Sequence, residues 1–336
     1  MIGVLLVNLG TPAAPTPQAV GRYLREFLMD PRVIDIPDLN RWLLVNLVIA
    51  PFRAAKSAKA YQKVWTKQGS PLLVNTLALA AAVQKSLGGK FSVKAAMRYG
   101  KPSIREALEA FAAERVESIR VLPLYPQYAS SSTGSTQEAV LKLAREVNHC
   151  PPVQLLLPFF DHPGFVRAFV EIGAPVLEAF QPDHILFSFH GLPERQIIKE
   201  DIGGNYCLKN PDCCAEIVPA NGLCYRAHCF QSARTIAAGL ELKGEDYTVC
   251  FQSRLGRTPW IKPFTDVVLE EIASQGKKRI AVFCPSFVAD CLETLEEIGI
   301  RAREQIGEHG ADLQLVPSLN AHPTWVQAVA DMVRGQ

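Results

Sequence analysis

The chain has 336 residues, 48% of them hydrophobic and 20% charged, with a formal net charge of +2. That length allows two domains with real buried cores, and the near-neutral charge gives no argument for a nucleic-acid partner. No run of 18 uncharged apolar residues is present, so no transmembrane helix is expected; the start, MIGVLLVNLG, has neither the basic region nor the cleavage site of a signal peptide.

In chain order, a strand is predicted at 2–8, then an apolar stretch WLLVNLVIAPF at 42–52 and a helix at 74–87. A strand at 92–97, a helix at 103–114, a strand at 118–124, a helix at 136–148, a strand at 153–157 and a helix at 164–180 follow. The second half predicts strands at 184–189, 247–251, 279–284 and 313–316, and helices at 230–241, 264–275, 290–308 and 323–334. Short apolar runs alternating with longer helical periods predict an α/β fold of parallel sheets covered on both faces.

The halves echo each other. LLVNLGTP (5–12) resembles LFSFHGLP (186–193), RYGKPSI (98–104) resembles RLGRTPWI (254–261), and IRVLPLYP (119–126) loosely resembles IAVFCPSF (280–287). Three echoes in one order predict two doubly wound parallel-sheet domains of related topology. We place them at 1–158 and 159–318, with a cysteine-rich insertion at 201–229 and a C-terminal helix within 319–336. Ligands of such sheets sit beyond the carboxyl ends of the strands, where all three echoes fall.

Four stretches there carry chemistry. His190 follows the strand ILFSF and precedes a Gly–Pro turn; it is either a strand-capping histidine or an imidazole placed to accept a proton or bind a metal. In FVADCLETLEEIGI (287–300), Asp290, Glu293 and Glu297 are spaced to share one helical face, as a solvated acidic face or as part of a site. In RTPWIKPF (257–264), Trp260 between two prolines is a rigid wall or core. In LPLYPQYASSSTGS (122–135), Tyr125 and Tyr128 precede a hydroxyl run that either caps a helix or binds an anion at its N-terminus.

FSFHGLPER, FQSRLGRTPWIKP, PQYASSSTGS and FVADCLETLEEI together resemble the ferrochelatases, over nearly the whole chain and in the right order. The resemblance implies two Rossmann-like, chelatase-type domains with the active-site cleft between them, and insertion of Fe²⁺ into a porphyrin (protoporphyrin IX) to form protoheme. It makes His190 and Glu293 the catalytic pair and ligands of the substrate iron, adds Asp290 and Glu297 from the acidic segment, and puts Leu9, Arg98, Tyr99, Tyr125 and Trp260 against the porphyrin. Two positions depart from the family pattern: Arg301 stands where a third acidic residue is common, and Cys291 where a histidine is common beside the aspartate.

The chemistry agrees. A free-base porphyrin loses two pyrrole protons as iron enters, and a site that bends the ring exposes its nitrogen lone pairs. Imidazole and carboxylate suit Fe²⁺ without trapping it as thiolates would. Rival readings are a chelatase for coproporphyrin III or sirohydrochlorin, and a non-catalytic heme or iron–sulfur carrier. WLLVNLVIAPF, flanked by Arg41, Arg53 and Lys56, is too short to span a membrane; it is a buried helix or an apolar lip in peripheral contact with the cytoplasmic membrane.

Five of the nine cysteines, Cys207, Cys213, Cys214, Cys224 and Cys229, fall within 23 residues of the insertion. Without an export signal the setting is expected to be cytoplasmic and reducing, which argues against disulfides. Gly, Pro and Asn punctuate the segment, so it is expected to be a loop that needs a staple to order itself. Four thiolates suit zinc or a [2Fe–2S] cluster, with His228 an alternative ligand. The family resemblance points to [2Fe–2S], which some members carry, usually on a C-terminal extension. Cys207 and Cys224 are then the first ligands, with Cys213 or Cys214 or both, and Cys229 either a ligand or a residue of the next helix. Cys150, Cys250, Cys284 and Cys291 read as core.

Overall fold

In the computed structural model, strands β1 (Ile2–Gly10), β2 (Phe91–Tyr99), β3 (Ser118–Pro123) and β4 (Val153–Leu155) form a parallel sheet in the order β2-β1-β3-β4. Strands β5 (His184–His190), β6 (Tyr247–Gln252), β7 (Arg279–Phe283) and β8 (Asp312–Leu315) form a second, in the order β6-β5-β7-β8. The structure describes every residue except Leu255, Arg257 and Gln336. All eight predicted strands are present. Val4 to Val7 on β1 and Leu186, Phe187 and Phe189 on β5 are fully buried, because crossover helices cover both faces of a parallel sheet.

Around the first sheet lie α1 (Pro17–Leu28), α2 (Asp38–Leu43), a π-helical segment π1 (Leu44–Ile49), α3 (Ala50–Val64), α4 (Pro71–Leu87), α5 (Ile104–Glu114), π2 (Ser130–Gly134) and α6 (Ser135–Glu146). Around the second lie α7 (Pro163–Phe180), α8 (Glu194–Lys199), α9 (Tyr225–Gly239), α10 (Thr265–Ser274), π3 (Glu293–Ala302) and α11 (Arg303–Gly307), with α12 (Pro323–Arg334) last in the chain. Helix α1 had not been predicted, although its start was written in the sequence: the Thr16 hydroxyl accepts from the Ala19 amide and Pro17 opens the first turn.

The chain forms two compact units. One comprises Met1–Tyr125, Ser130–Pro158 and the chain from Asn320 onward; the other comprises Pro126–Ala129 and Phe159–Leu319. Helix α7 follows β4 of the first sheet yet belongs to the second unit, and α12 follows β8 of the second sheet yet packs on α4 of the first. The two segments, DHPGFVRAFV (161–170) and AHPTWVQAVA (321–330), are a fourth echo that the sequence reading missed.

Strand pairing puts two of the predicted echoes in register. Leu6 pairs with Leu122 and Phe187 with Phe283, as the first and third echoes require. The second is displaced by two residues. Leu6 pairs with Ala95 where Phe187 pairs with Val249, so Met97 corresponds to Phe251 and Arg98 to Gln252, not Arg254. The hydrogen bonds agree: the Met97 amide donates to the Pro102 carbonyl (2.7 Å) and the Phe251 amide to that of Pro263 (2.8 Å). The second half has a longer loop between strand and helix, which carries Trp260; Leu255 and Arg257 of that motif lie outside the described residues.

Candidate active site

His190 ends β5. Its amide donates to Ser286 Oγ (3.3 Å), its carbonyl accepts from the Tyr225 hydroxyl (2.8 Å), and Nδ1 lies 2.6 Å from the Gly191 carbonyl. Only a protonated Nδ1 can bond a carbonyl, so the neutral ring carries its proton there and Nε2 keeps its lone pair. The turn after it is tight: a Cβ on Gly191 would stand 2.9 Å from the Gln252 carbonyl and 3.3 Å from Trp260 Cε3. Trp260 is held beside this turn by a bridge to Pro193, with the Ile261 amide on the Leu192 carbonyl and the Glu194 amide on that of Pro259, each at 3.0 Å.

Gln252 is the ladder partner of His190. It is buried; its Nε2 donates to the main-chain carbonyl of Glu293 (2.9 Å), and its Oε1 accepts from the Ser188 hydroxyl (2.7 Å). One residue therefore registers both the strand-end histidine and the start of π3. Sequence reasoning missed Gln252, because the echo at 254–261 begins two residues after it.

The acidic residues do not act as one face. Asp290 precedes the helix, and its Oδ1 accepts from the Ser318 amide (3.0 Å), fastening the loop after β8. Glu293 opens a stretch of π-helix, a geometry often found at functional sites. The thiol of Cys291 hydrogen-bonds its carboxylate, and burial with that neighbour pushes the thiol pKa well up. Glu297 is engaged on both oxygens: Oε1 accepts from the Ser253 amide (3.0 Å), Oε2 from the Ser253 hydroxyl, and the Arg301 guanidinium lies 3.6 Å away. Ser253 adopts a left-handed φ of 67° to present both donors. Arg301 thus neutralises the carboxylate next to it. Among the described residues, no three His, Cys, Asp or Glu side chains are arranged around a single metal ion.

In the first unit, Leu9 is half-buried near the end of β1. Arg98 and Tyr99, at the end of β2, converge on Asp30, which the sequence reading had not singled out. Asp30 Oδ2 accepts from Arg98 Nη2 (2.6 Å), the Tyr99 hydroxyl (2.8 Å) and the Ser135 hydroxyl (2.5 Å), and Oδ1 from the Arg32 amide (2.8 Å). Burial alone raises the Asp30 pKa, but the bonds from Ser135, Arg32 and Tyr99 and the charge of Arg98 outweigh it, so the carboxyl titrates below its ordinary range. Tyr99 is 1% exposed and its pKa is raised, chiefly by burial. In the hydroxyl run, Ser130 accepts from Arg32, Ser135 serves Arg98 and Asp30, and Thr136 donates to the Tyr125 hydroxyl.

The cysteine segment has a hydrogen-bond framework of its own. Asp201 accepts four amides, from Gly203, Gly204, Tyr206 and Cys207, at 2.7–3.1 Å. Asn221 is buried; it donates to the carbonyls of Cys213 and Glu216 and accepts from the Val218 amide. The thiols of Cys213 and Cys214 lie 3.7 Å apart, and that of Cys224 bonds those of Cys207 and Cys214. All four are at most 3% exposed; burial raises the pKa of Cys207 and Cys213, and the bond to Cys224, then burial, raises that of Cys214. The Leu208 amide donates to Cys213 Sγ (3.4 Å) and Arg226 Nη1 to Cys214 Sγ (3.1 Å), donors that would stabilise thiolates. Cys229 lies on α9 with its thiol bonded to Tyr225. His228 is no alternative ligand in this arrangement. Its Nδ1 accepts from the Tyr128 amide, its Nε2 serves the Gly222 carbonyl, and burial lowers its pKa to about 4.

A sequence model of the family described as Ferrochelatase matches residues 1–336. A ferrochelatase of Coxiella burnetii (strain Dugway 5J108-111) is 48% identical over 334 residues, covering 99% of this chain and 93% of that protein. One from Bdellovibrio bacteriovorus is 47% identical over 333 residues, covering 99% and 98%. Among solved structures, the fold resembles that of the sirohydrochlorin chelatase SirB from Bacillus subtilis subspecies spizizenii in complex with cobalt. The TM-score is 0.56 at 11% identity, over 99% of this chain and 94% of that one, a likeness of fold alone.

Proposed function

This chain belongs to the ferrochelatase family and inserts ferrous iron into a porphyrin for heme synthesis, and we propose that His190 and Glu293 carry the exchange of two pyrrole protons for the metal. The observation that carries this reading is Gln252, which pairs with His190 across the ladder and holds the Glu293 carbonyl. With Nδ1 spent on Gly191, His190 offers Nε2 to a pyrrole proton or to Fe²⁺. Glu293 is a second acceptor, as loss of two protons requires. Glu297, engaged by Ser253 and neutralised by Arg301, is held as a support of the site rather than as a free ligand, and Asp290 acts by fixing the loop at Ser318. Leu9, Arg98, Tyr125 and Trp260 are proposed to contact the porphyrin, with Tyr99 holding Arg98 through Asp30. His190→Ala and Glu293→Gln, each folded and still binding porphyrin, are expected to abolish insertion; turnover like the parent in either overturns the assignment.

We propose protoporphyrin IX as the porphyrin. Leu39, Trp42, Leu43, Leu47, Val48 and Phe52 are 40–79% exposed along α2, π1 and α3, beside exposed Arg53 and Lys56. Such a surface suits peripheral contact with an anionic bilayer, into which the less polar porphyrin partitions. Arg41 does not belong to it: it is buried, its guanidinium on the carbonyls of Ile34 and Ile36 and on Asp38. Insertion assays with protoporphyrin and coproporphyrin decide the substrate. No helix among the described residues is long and apolar enough to cross a membrane. With nine cysteines in the chain, a reducing, cytoplasmic setting is proposed.

For the insertion we propose a [2Fe–2S] cluster on Cys207, Cys213, Cys214 and Cys224. A single zinc needs all its thiolates at one point, whereas a two-iron cluster needs two at each iron. The chain of thiol contacts, Cys213 to Cys214 to Cys224 to Cys207, offers a neighbouring pair to each iron. Bound there, the cluster would cross-link the loop; metal insertion transfers no net electron. Anaerobically purified protein is expected to hold about two irons and two sulfides per chain; colourless protein with stoichiometric zinc overturns the cluster.

A further inference from the structure

The geometry points to Tyr225 as a positioning residue that couples the cysteine segment to His190, an inference resting on the roles proposed above for His190 and the thiols. Tyr225 follows Cys224 directly and opens α9. It is 5% exposed. Its hydroxyl donates to the His190 carbonyl at 2.8 Å, which spends its one proton. The contact with Ser286 Oγ at 3.0 Å must then run from serine to tyrosine. Ser286 Oγ in turn accepts the His190 amide at 3.3 Å.

The result is a closed ring: His190 N–H to Ser286, Ser286 O–H to Tyr225, Tyr225 O–H to His190 C=O. Both ends of it belong to the same residue, so it fixes the backbone from which the imidazole projects. The ladder with β6 sets where β5 runs, and this ring sets how its last residue is turned. Cys229, one turn further along α9, hydrogen-bonds the same phenol, which gives the fifth cysteine a place outside the thiol chain.

The first turn of α9 faces both sites at once. Cys224 joins the thiol chain, Tyr225 reaches His190, and Arg226 returns to Cys214 Sγ. The Cys224 amide is tied to the Asn221 carbonyl at 2.8 Å. A cross-link on Cys224 therefore holds the helix end that seats Tyr225. In this scheme the cysteine segment serves metal insertion by geometry, with no electron passed.

The test is Tyr225→Phe, which removes one oxygen. Iron and sulfide content, the visible spectrum and the KM for porphyrin are expected to match the parent, while kcat falls about 10–100-fold, the usual cost of losing a partner that orients a reacting histidine. Ser286→Ala opens the same ring and is expected to split kcat from KM in the same way, which keeps the test available should the first variant fail to accumulate. Cys207→Ser, at the far end of the thiol chain, is expected to lose the cluster and lower kcat, and adding Tyr225→Phe to it lowers kcat little further. Parental kcat in a loaded Tyr225→Phe protein overturns the positioning role, and multiplicative losses in the double variant overturn the coupling. A parent without iron and sulfide sinks the cluster while leaving the Tyr225 and Ser286 results to decide the rest.

Discussion

The side-chain amide of Gln252 donates to the main-chain carbonyl of Glu293 at 2.9 Å, joining the end of β6 to the first residue of π3. Gln252 Oε1 also accepts from Ser188, whose hydroxyl lies 2.8 Å from that of Thr265. All of this is buried but the carbonyl's own residue. Gln252→Leu has similar volume and no hydrogen bonds, so it strands the acceptor on Glu293, while the Ser188 hydroxyl can turn to Thr265. An unmet buried polar group costs about 1–3 kcal/mol. Urea unfolding is expected to show a loss of about 1–3 kcal/mol, with kcat reduced as π3 shifts. A loss below about 1 kcal/mol would mean that water replaces the amide and that Gln252 does not set the register of the site.

Asp30 gives the first unit an acid-sensitive point. Its carboxyl titrates below its ordinary value because the donors around it outweigh the cost of burial. A depressed carboxylate contributes stability above its unfolded pKa of about 4, and that contribution is lost as pH falls through the folded value. Stability of the parent is therefore expected to drop below about pH 4. Asp30→Asn cannot titrate; it is expected to be less stable than the parent at pH 7, by on the order of 2 kcal/mol, and to converge with it in acid. Parallel pH curves for the two proteins would rule out Asp30 as the titrating group.

The strands were legible because each is a short apolar run buried on both faces, and the strand-end residue His190 could be located from those runs, whereas Trp260, on the loop after β6, stood out by its flanking prolines. Arg98 and Tyr99 were found as well, but not Asp30. It lies 68 residues from Arg98 in sequence and meets it only through the fold. The spacing of Asp290, Glu293 and Glu297 read as one α-helical face; Asp290 in fact precedes the helix, and the segment is π-helical, where α-periodicity fails. Asp201 and Asn221 went unread because turn frameworks are made by side chains bonding nearby backbone, a pattern that composition presents only as loop. Tyr225 was hidden by a helix boundary set five residues late.

The exposed apolar surface predicts how the protein meets lipid. Phe52 is 79% exposed and Leu47 56%, so neither holds the core together. Replacing both with Glu removes apolar area and adds negative charge next to Arg53 and Lys56. The parent is expected to float with anionic vesicles at low salt and to be released by higher salt, because screening weakens the basic contribution. The double variant is expected to stay free while keeping its thermal midpoint within a few degrees, as surface changes do. A parent that remains wholly free at low salt would leave this surface without a lipid role.

Asp201 is expected to decide how well the cysteine segment loads. Its two carboxylate oxygens accept four amides in one turn, the last of them from Cys207. Those bonds hold its carboxyl below the ordinary range, the Cys207 and Tyr206 amides chief among them. Asp201→Asn leaves one accepting oxygen and turns an NH₂ toward amides that need an acceptor, so about half the framework fails. Cys207 is then presented loosely, and a site loses about 10–100-fold in metal affinity when a supporting bond of this kind is removed. The expected result is protein with the parent's thermal midpoint but substoichiometric iron and sulfide, cleaved faster by protease within residues 200–224. Asn221→Ala, which frees the carbonyls of Cys213 and Glu216, is expected to do the same from the other side. Full iron and sulfide in both variants would show that the metal orders the segment, reversing the order of cause argued from these hydrogen bonds.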